Sequence, residues 1–313
     1  MRLIKKAVSS AISSVKLFSY FELMKYLLFI SCLLYSFSSH AQDISAHFKA
    51  YDVKKQQVIS LDNIISDITD ANVLFFGEEH NDSIGHLLEA TIFEKINLKF
   101  PGKTALSLEM FHSDVQQVVD EYLLGLISEK NFIKDGRAWS NYKDYKPLVE
   151  YAKANKLAVI AANAATRYSN AVTKGGLEIL AGFPKSSLSS LPPIPIDTAT
   201  GRYLQKFNDL LGGHSMGTMR VYQTQNLWDA TMAWSIAQYI KDNKNVKILQ
   251  LNGRFHSDEK LGTLAKLKKY APQVKILNIS SFSADDFENP DWAKYISLGD
   301  YIIITDPKVK RSF

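Results

Sequence analysis

The sequence is nearly free of cysteine and lacks the common phosphate-binding and serine-hydrolase loops. Its one cysteine is Cys32, and cleavage of a leader after Ala41 would remove it, which excludes disulfides and cysteine-ligated zinc from the mature chain. No G-x-G-x-x-G or P-loop follows an apolar run, so a nucleotide site of either kind is not expected. A G-x-S-x-G elbow is missing as well, which argues against serine-hydrolase chemistry.

An excess of one charge is also missing from most of the chain. The 313 residues carry a net charge of +5, but residues 1–41 contribute five basic side chains and only one acidic side chain. The remainder is close to neutral with mixed, dispersed charges, so no nucleic-acid-binding surface is expected. With 46% hydrophobic residues, the chain has enough apolar side chains for the core of one large domain or two.

The N-terminal segment has the pattern of an export signal. Met24 is a possible true start, the apolar run Tyr26–Phe37 follows it, and small residues at Ser39 and Ala41 suit a cleavage site. We therefore predict a signal peptide over residues 1–41 and a single mature domain over 42–313, periplasmic or secreted. The alternative is a lipoprotein anchored at Cys32.

Short apolar runs alternate with helix-period segments along the mature chain. Such runs predict strands that are covered by helices on both faces, and the alternation predicts an α/β fold with a mainly parallel central sheet flanked by helices. The predicted strands are Val73–Phe76, Thr104–Leu108, Leu157–Ala161, Val246–Leu251, Val274–Ile279 and Tyr301–Thr305.

Long helical territory interrupts this alternation in the middle of the chain. We predict a helical cap from insertions at about 113–155 and 166–243, over a sheet core at about 60–112, 156–165 and 244–313. A helix is expected over Ser83–Lys99, and Ser113 is expected to open another helix through a capping box. A further helix is expected to start near Ser257.

One short motif occurs twice, each time at the end of a predicted strand. Gly77-Glu78-Glu79-His80 follows one strand and Gly253-Arg254-Phe255-His256 follows another, while a third strand ends at Glu109. Ligands of open α/β sheets bind outside the carboxyl ends of the strands. We therefore expect two histidines and one or two carboxylates to converge there, with Glu78 rather than Glu79 on the side of His80.

Three interpretations of this convergence remain open. Imidazole and carboxylate groups suit zinc, manganese or iron, so one set of metal ligands is Glu78, His80, Glu109 and His256, and a metal-dependent hydrolase would use the same four residues. The same groups also fit a polar cluster beside a bound cofactor. In the third interpretation the cluster only fixes the loops.

These motifs, together with four further segments, resemble those of the ChaN-like haem-binding uptake proteins, which are related to Tiki proteases and erythromycin esterases. The resemblance covers about residues 60–280 and includes LEMF, WSNYKDYKPLVEYAK, VIAANAATRYSNAV and TQNLWDATMAWSIA. It implies an exported protein that binds haem or iron between the strand-end cluster and the cap. It also implies an uptake role, a possible homodimer and a possible outer-membrane partner system. The family's Pro-Arg pair is Thr166-Arg167 here.

The resemblance also implies residues that contact haem. Tyrosinate is a known haem ligand type, and Tyr145 in the cap is the expected ligand, with Tyr142 nearby. His80 and His256 would lie beside the cofactor, and Arg167 would pair with a propionate.

Other polar residues receive weaker expectations. Asp229 is expected either to orient a site histidine or to be exposed. His112 follows Glu109 closely and is an extra candidate for the crevice. His86 receives no role, and His214 lies in a glycine-rich segment that could be a mobile lid.

Overall fold

The apolar runs of the sequence become the buried strands of one mixed sheet. The computed structural model describes residues 44–212, 214 and 216–313. The chain divides into residues 1–46 and residues 47–313, and the fold described below is that of the second unit. The predicted signal peptide and Cys32 lie outside the described residues.

The sheet has eight strands in the described part of the chain. Its order is β2-β1-β8-β7-β3-β6-β4-β5; β1 runs antiparallel to both of its neighbours, and the other pairs are parallel. The strands are β1 Phe48–Asp52, β2 Gln57–Ile59, β3 Val73–Glu78, β4 Thr104–His112, β5 Ala158–Asn163, β6 Lys247–Gly253, β7 Ile276–Ser283 and β8 Tyr301–Thr305.

Helices cover the sheet and fill the segments between its strands. The α-helices are α1 Leu61–Asp67, α2 Ser83–Lys99, α3 Gln116–Leu123, α4 Glu129–Asp135, α5 Tyr142–Ala154, α6 Thr166–Gly175, α7 Arg202–Leu211, α8 Val221–Asp242 and α9 Gly262–Tyr270. Short 3₁₀ turns are Ile44–His47, Ile68–Asp70, Ser113–Val115, Leu177–Gly182, Ser187–Ser190, Arg254–His256, Asp258–Lys260 and Trp292–Lys294. In the part of the chain with described positions, no helix combines the length and apolarity needed to cross a bilayer.

The prediction of an α/β fold with a mainly parallel sheet is confirmed, and two local predictions are wrong. Ser113 does not cap a helix, because its hydroxyl donates to the carbonyl of Ser190 at 2.6 Å. The helix expected near Ser257 begins instead at Gly262, because two 3₁₀ turns follow β6. The antiparallel strands β1 and β2 were not expected.

The cap and the sheet share one long helix. The N-terminal half of α8 packs through Leu227 and Ala230 against Tyr168 of α6. Its C-terminal half packs through Ala233 and Ile236 onto the sheet core. Helix α8 therefore fixes the cap region relative to the strands.

The strand order brings the repeated motif together. Strand β6 lies between β3 and β4, and Glu78 at the end of β3 is opposite Gly253 at the end of β6. Leu108 of β4 is opposite Leu251 of β6, so Glu109 follows at the same edge. Three neighbouring strands thus deliver polar groups to one crevice.

Candidate functional site

Each glycine of the repeated motif makes room for the other copy of the motif. A Cβ on Gly253 would lie 2.8 Å from Nε2 of His80. A Cβ on Gly77 would lie 2.6 Å from Oγ of Ser257 and 3.0 Å from Cα of Arg254. The two loops therefore approach each other more closely than side-chain-bearing residues would allow.

Glu78 lies at the centre of the first polar group. Its Oε1 accepts hydrogen bonds from Nδ1 of His80 at 2.8 Å and from the hydroxyl of Tyr145 at 2.7 Å. Burial alone would raise the pKa of Glu78, but the bond from His80 and the positive charge of His80 hold this pKa below its usual value. Glu79 turns to the other side, where its Oε2 accepts from Arg311 at 2.9 Å.

His80 is the half-exposed member of this group. Burial tends to lower the pKa of His80, but the bond to Glu78 and the nearby charges of Glu78 and Glu109 raise it above its ordinary value. Its ring packs edge-on against Trp139, with 5.2 Å between the centroids. His80 therefore connects the buried carboxylate with the solvent-facing side of the crevice.

Helix α2 adds two more titratable groups beneath Glu78. His86 Nδ1 lies 3.4 Å from Oε2 of Glu78 and 3.2 Å from Oε2 of Glu89, and its Nε2–H donates to the carbonyl of His80 at 3.1 Å. Burial and the charge of Glu78 raise the pKa of Glu89 well above its usual value. Glu78, His80, His86 and Glu89 form what we call the Glu78 cluster.

A second group of charges lies across β6. His256 Nδ1 donates to Oδ1 of Asp229 at 2.7 Å, and its Nε2 lies 3.4 Å from Oε1 of Glu109. Oε2 of Glu109 accepts from the backbone N–H of Gly253 at 2.8 Å. Glu109, Asp229 and His256 form what we call the His256 cluster.

The His256 cluster is an imidazolium held between two carboxylates. Burial would lower the pKa of His256, but Glu109 and Asp229 raise it to about 10. Burial would also raise the pKa of Glu109, but the charge of His256 brings it below its ordinary value. At neutral pH this imidazolium is a proton donor and an electrostatic anchor rather than a base.

Asp229 is supported from two further elements. Its Oδ2 accepts from the hydroxyl of Tyr203 at 2.5 Å, and its Oδ1 accepts from the hydroxyl of Thr263 at 2.9 Å. This geometry agrees with the expectation that Asp229 orients a site histidine. The alternative, that Asp229 is exposed, is wrong because Asp229 is fully buried.

The four residues predicted as one metal site occupy two pairs. Glu78 pairs with His80 and Glu109 pairs with His256. Within the described ranges, the group whose ligand atoms all lie within 4.8 Å of one another is Glu78, His86 and Glu89. Sequence reasoning missed His86 and Glu89, although a His and a Glu three residues apart on one helix face were a usable signal.

A cavity of about 430 Å³ opens between the strand ends and the cap. Trp139 lies on one side of it, edge-on to His80, and Trp228 lies on another, 6.4 Å from the ring of His256. The lining residues are Glu109, His112, Trp139, Asn163, Thr166, Ser169, Asn170, Thr173, Val221, Thr224 and Trp228. His80 and His256 are not among the lining residues, but the ring of each lies edge-on to one of these two tryptophans.

His112 lines this cavity, and the charges of two arginines act on its imidazole. Nδ1 of His112 is buried and has no hydrogen-bond partner among the residues whose positions are described. Burial and the charges of Arg137 and Arg167 lower the pKa of His112, so its imidazole is neutral. Both guanidinium groups pair with the single carboxylate of Asp114, which leaves an excess positive charge.

Neither cap tyrosine faces open space. Tyr145 is fully buried, donates to Glu78, and packs edge-on against His86 at 5.0 Å. Burial and the charges of Glu78 and Glu89 raise its pKa far above the usual value, so it is a neutral phenol. Tyr142 is also buried, against Phe111 and Phe132. His214 is exposed, and its Nδ1–H donates to the carbonyl of Leu211.

The comparisons with known proteins agree with this architecture. Residues 64–267 match the profile of a family described as haem-binding uptake, Tiki superfamily, ChaN. ChaN of Campylobacter jejuni, whose structure is described as showing cofacial haem binding, superposes with a TM-score of 0.62 at 18% identity. The match covers 83% of this chain and 97% of that chain.

Two further solved structures overlap more weakly. The type III effector HopBA1 has a TM-score of 0.46 at 13% identity, with coverage of 79% and 93%. An open erythromycin esterase EreC mutant has a TM-score of 0.45 at 11% identity, with coverage of 83% of each chain. No sequence match to a curated protein was found.

Proposed function

The chain belongs to the family of haem-binding uptake proteins of the Tiki superfamily that includes ChaN, and on this premise we propose that it binds haem in the cavity between the strand ends and the cap. The observation that carries the proposal is the composition of that cavity. It combines aromatic walls with a neutral imidazole whose Nδ1 has no partner among the described residues, and an excess of guanidinium charge acts on that imidazole.

The walls suit a flat, apolar ligand. Trp139 and Trp228 are half-buried, and each presents a large aromatic surface to the cavity together with Val221. A volume of about 430 Å³ falls in the range of roughly 300–1,000 Å³ that is typical of small-molecule sites. The cavity is open to solvent, so a planar ligand larger than the cavity can project from it.

The polar groups near His112 suit the iron and the two propionate carboxylates of haem. The neutral imidazole of His112 is the form that binds a metal, and iron in haem is commonly held by histidine. Arg137 and Arg167 exceed the charge of Asp114 by one unit, which favours a propionate there. This assigns Arg167 the role expected from the sequence and gives His112 the role of iron ligand in place of Tyr145.

Haem would supply the iron, and the chain's own residues would hold it. The His256 cluster keeps a fixed positive charge behind Glu109, which lines the cavity. His80 and Trp139 shield one side from water. An uptake role in the periplasm or outside the cell, a homodimer and an outer-membrane partner system are proposals that extend this binding function.

Haem titration into purified protein tests the proposal. We expect wild type to give a Soret band at about one haem per chain and His112→Ala to weaken affinity by about tenfold or more, because the iron loses its imidazole. Surface His214→Ala is the matched control and should bind like wild type. If Tyr145→Phe removes the band and His112→Ala does not, the ligand is the phenol.

The same preparation separates haem binding from the alternative of a metal-dependent hydrolase that uses Glu78, His80, Glu109 and His256. Absence of any Soret change in wild type would contradict haem binding. Metal-dependent ester or amide hydrolysis that is lost in Glu109→Gln would favour the hydrolase. Size-exclusion chromatography with light scattering, with and without haem, tests the homodimer.

A further inference from the structure

The Glu78 cluster contains more buried negative charge than its neighbours can balance. Glu78 and Glu89 are 2% and 0% exposed, and His86 is the buried imidazole between them. Oε2 of Glu78 and Oε1 of Glu89 are buried, and neither has a hydrogen-bond partner within the described ranges. Buried carboxylate oxygens without partners are costly, so either a proton or a cation is needed to balance them.

The imidazole of His86 is oriented as a metal ligand. The backbone carbonyl of His80 can only accept, so the bond at 3.1 Å places a hydrogen on Nε2 of His86. Nδ1 is then the ring nitrogen that faces the two glutamates. A hydrogen bond from the other ring nitrogen to a carbonyl is the usual support of a metal-bound histidine.

The distances from Nδ1 of His86 to the two glutamates fit one small cation, and all three ligand atoms lie within 4.8 Å of one another. Two ligands bound at about 2.0–2.1 Å with a tetrahedral angle lie about 3.3 Å apart. Nδ1 of His86 is 3.4 Å from Oε2 of Glu78 and 3.2 Å from Oε2 of Glu89. One nitrogen and two carboxylate groups also balance a divalent charge and suit zinc, manganese or ferrous iron.

We propose that Glu78, His86 and Glu89 form a binding site for one divalent transition-metal ion beneath the crevice, separate from the haem cavity. Oε1 of Glu78 stays bonded to His80 and Tyr145, while its Oε2 binds the ion. Asp144, whose Oδ2 is 4.0 Å from Nε2 of His86, adds negative charge nearby. The half-exposed ring of His80 covers the path from solvent.

Binding of Zn²⁺ or Mn²⁺ to the haem-free, chelator-treated full chain tests the site. Wild type is expected to bind one equivalent, and Glu89→Gln is expected to bind about 100-fold more weakly or not at all, because loss even of a residue that only supports a ligand costs 10–100-fold. Glutamine has nearly the size of glutamate and its amide can donate to a neighbouring carboxylate, so the variant is expected to keep the fold; circular dichroism and the thermal midpoint check this.

Glu79→Gln is the matched control, since Glu79 is adjacent in sequence but turns away to Arg311. It should bind metal like wild type. Wild type without a stoichiometric site for either ion, or Glu89→Gln with wild-type affinity, would overturn the proposal and leave a shared proton in the cluster. Haem affinity is measured on the same variants. An unchanged Soret titration in Glu89→Gln would show that loss of the metal site leaves haem binding intact.

Discussion

The two clusters at the strand ends contain the same chemical groups, but they differ in how completely their charges and carboxylate oxygens are paired. In the His256 cluster one imidazolium lies between Glu109 and Asp229, and the oxygens of Asp229 receive further bonds from Tyr203 and Thr263. In the Glu78 cluster, two buried carboxylates share one side of a single buried imidazole. Both of these carboxylates keep an oxygen without a partner in the described part of the chain.

This difference separates a cluster whose charges are paired within the fold from one that needs a further proton or cation. Buried charges are tolerated where they are paired and hydrogen-bonded, which is the condition of His256. A carboxylate pair that lacks enough donors must take up a proton or bind a cation. The first cluster therefore fixes the crevice, and the second is the one that responds to what is bound.

The largest expected effect comes from replacing one buried acidic side chain in each cluster by its amide. Asp229→Asn should lower the free energy of unfolding by about 3 kcal/mol, because a buried imidazolium loses one of its two partners.

Glu89→Gln in metal-free protein at pH 7 should raise the free energy of unfolding by about 1 kcal/mol. Burial raises the pKa of Glu89, so wild type must take up a proton on folding and the amide need not. Urea unfolding in a chelator measures both.

Asp209→Asn, on the exposed surface of α7, is the control for the chemical change itself. The proposed difference between the clusters would be contradicted if the two buried substitutions changed the free energy of unfolding in the same direction. Added metal should reverse the sign for Glu89→Gln, since only wild type gains stability from a bound ion.

The next effect is the pH dependence that His256 gives to the stability of the fold. The pKa of His256 is raised to about 10 from an ordinary 6.5, so the folded chain holds a proton that the unfolded chain releases. This stabilisation is complete below about pH 6.5 and is lost as the pH rises toward 10, with a slope of about 1.4 kcal/mol per pH unit.

Urea unfolding at pH 7, 8 and 9 measures this slope. Because other groups also titrate, the informative quantity is the difference between wild type and His256→Gln. A difference that does not change with pH would show that His256 is neutral in the fold, and the contrast between the clusters would then lose its electrostatic basis.

Long apolar runs made most strands of the sheet predictable, while tertiary contacts determined the features that the sequence did not predict. Strands β3 to β8 are buried along most of their length, and the apolar runs in their sequences predict this burial. Strand β1 was missed because Lys49 and Asp52 interrupt its apolar pattern, and its pairing with β8 is set by residues far along the chain. The capping box at Ser113 was wrong because Ser190 captures the hydroxyl.

The positions of the motif residues were predictable where a strand end fixes the side chain. Glu78, His80, Glu109 and His256 follow directly from strand ends, and the structure brings them to one edge. His86 and Glu89 belong to a helix, and only packing of α2 beneath β3 turns them toward Glu78. The burial of Tyr145 depends in the same way on other elements: its hydroxyl donates to Glu78 and its ring packs against His86. Neither contact is visible from the sequence alone.

The smallest expected effect tests the close approach on which both clusters depend. Gly253→Ala adds a Cβ that would lie 2.8 Å from Nε2 of His80. Because His80 is half-exposed and can move, we expect a cost of only about 1 kcal/mol. Displacing the ring should weaken its bond to Glu78, so the pKa of His80, followed by NMR, should fall toward its ordinary value. Gly182→Ala, where a Cβ meets no atom within 4 Å of the described structure, is the control. A His80 pKa unchanged in Gly253→Ala would mean that the two copies of the motif are packed less tightly than their glycines indicate.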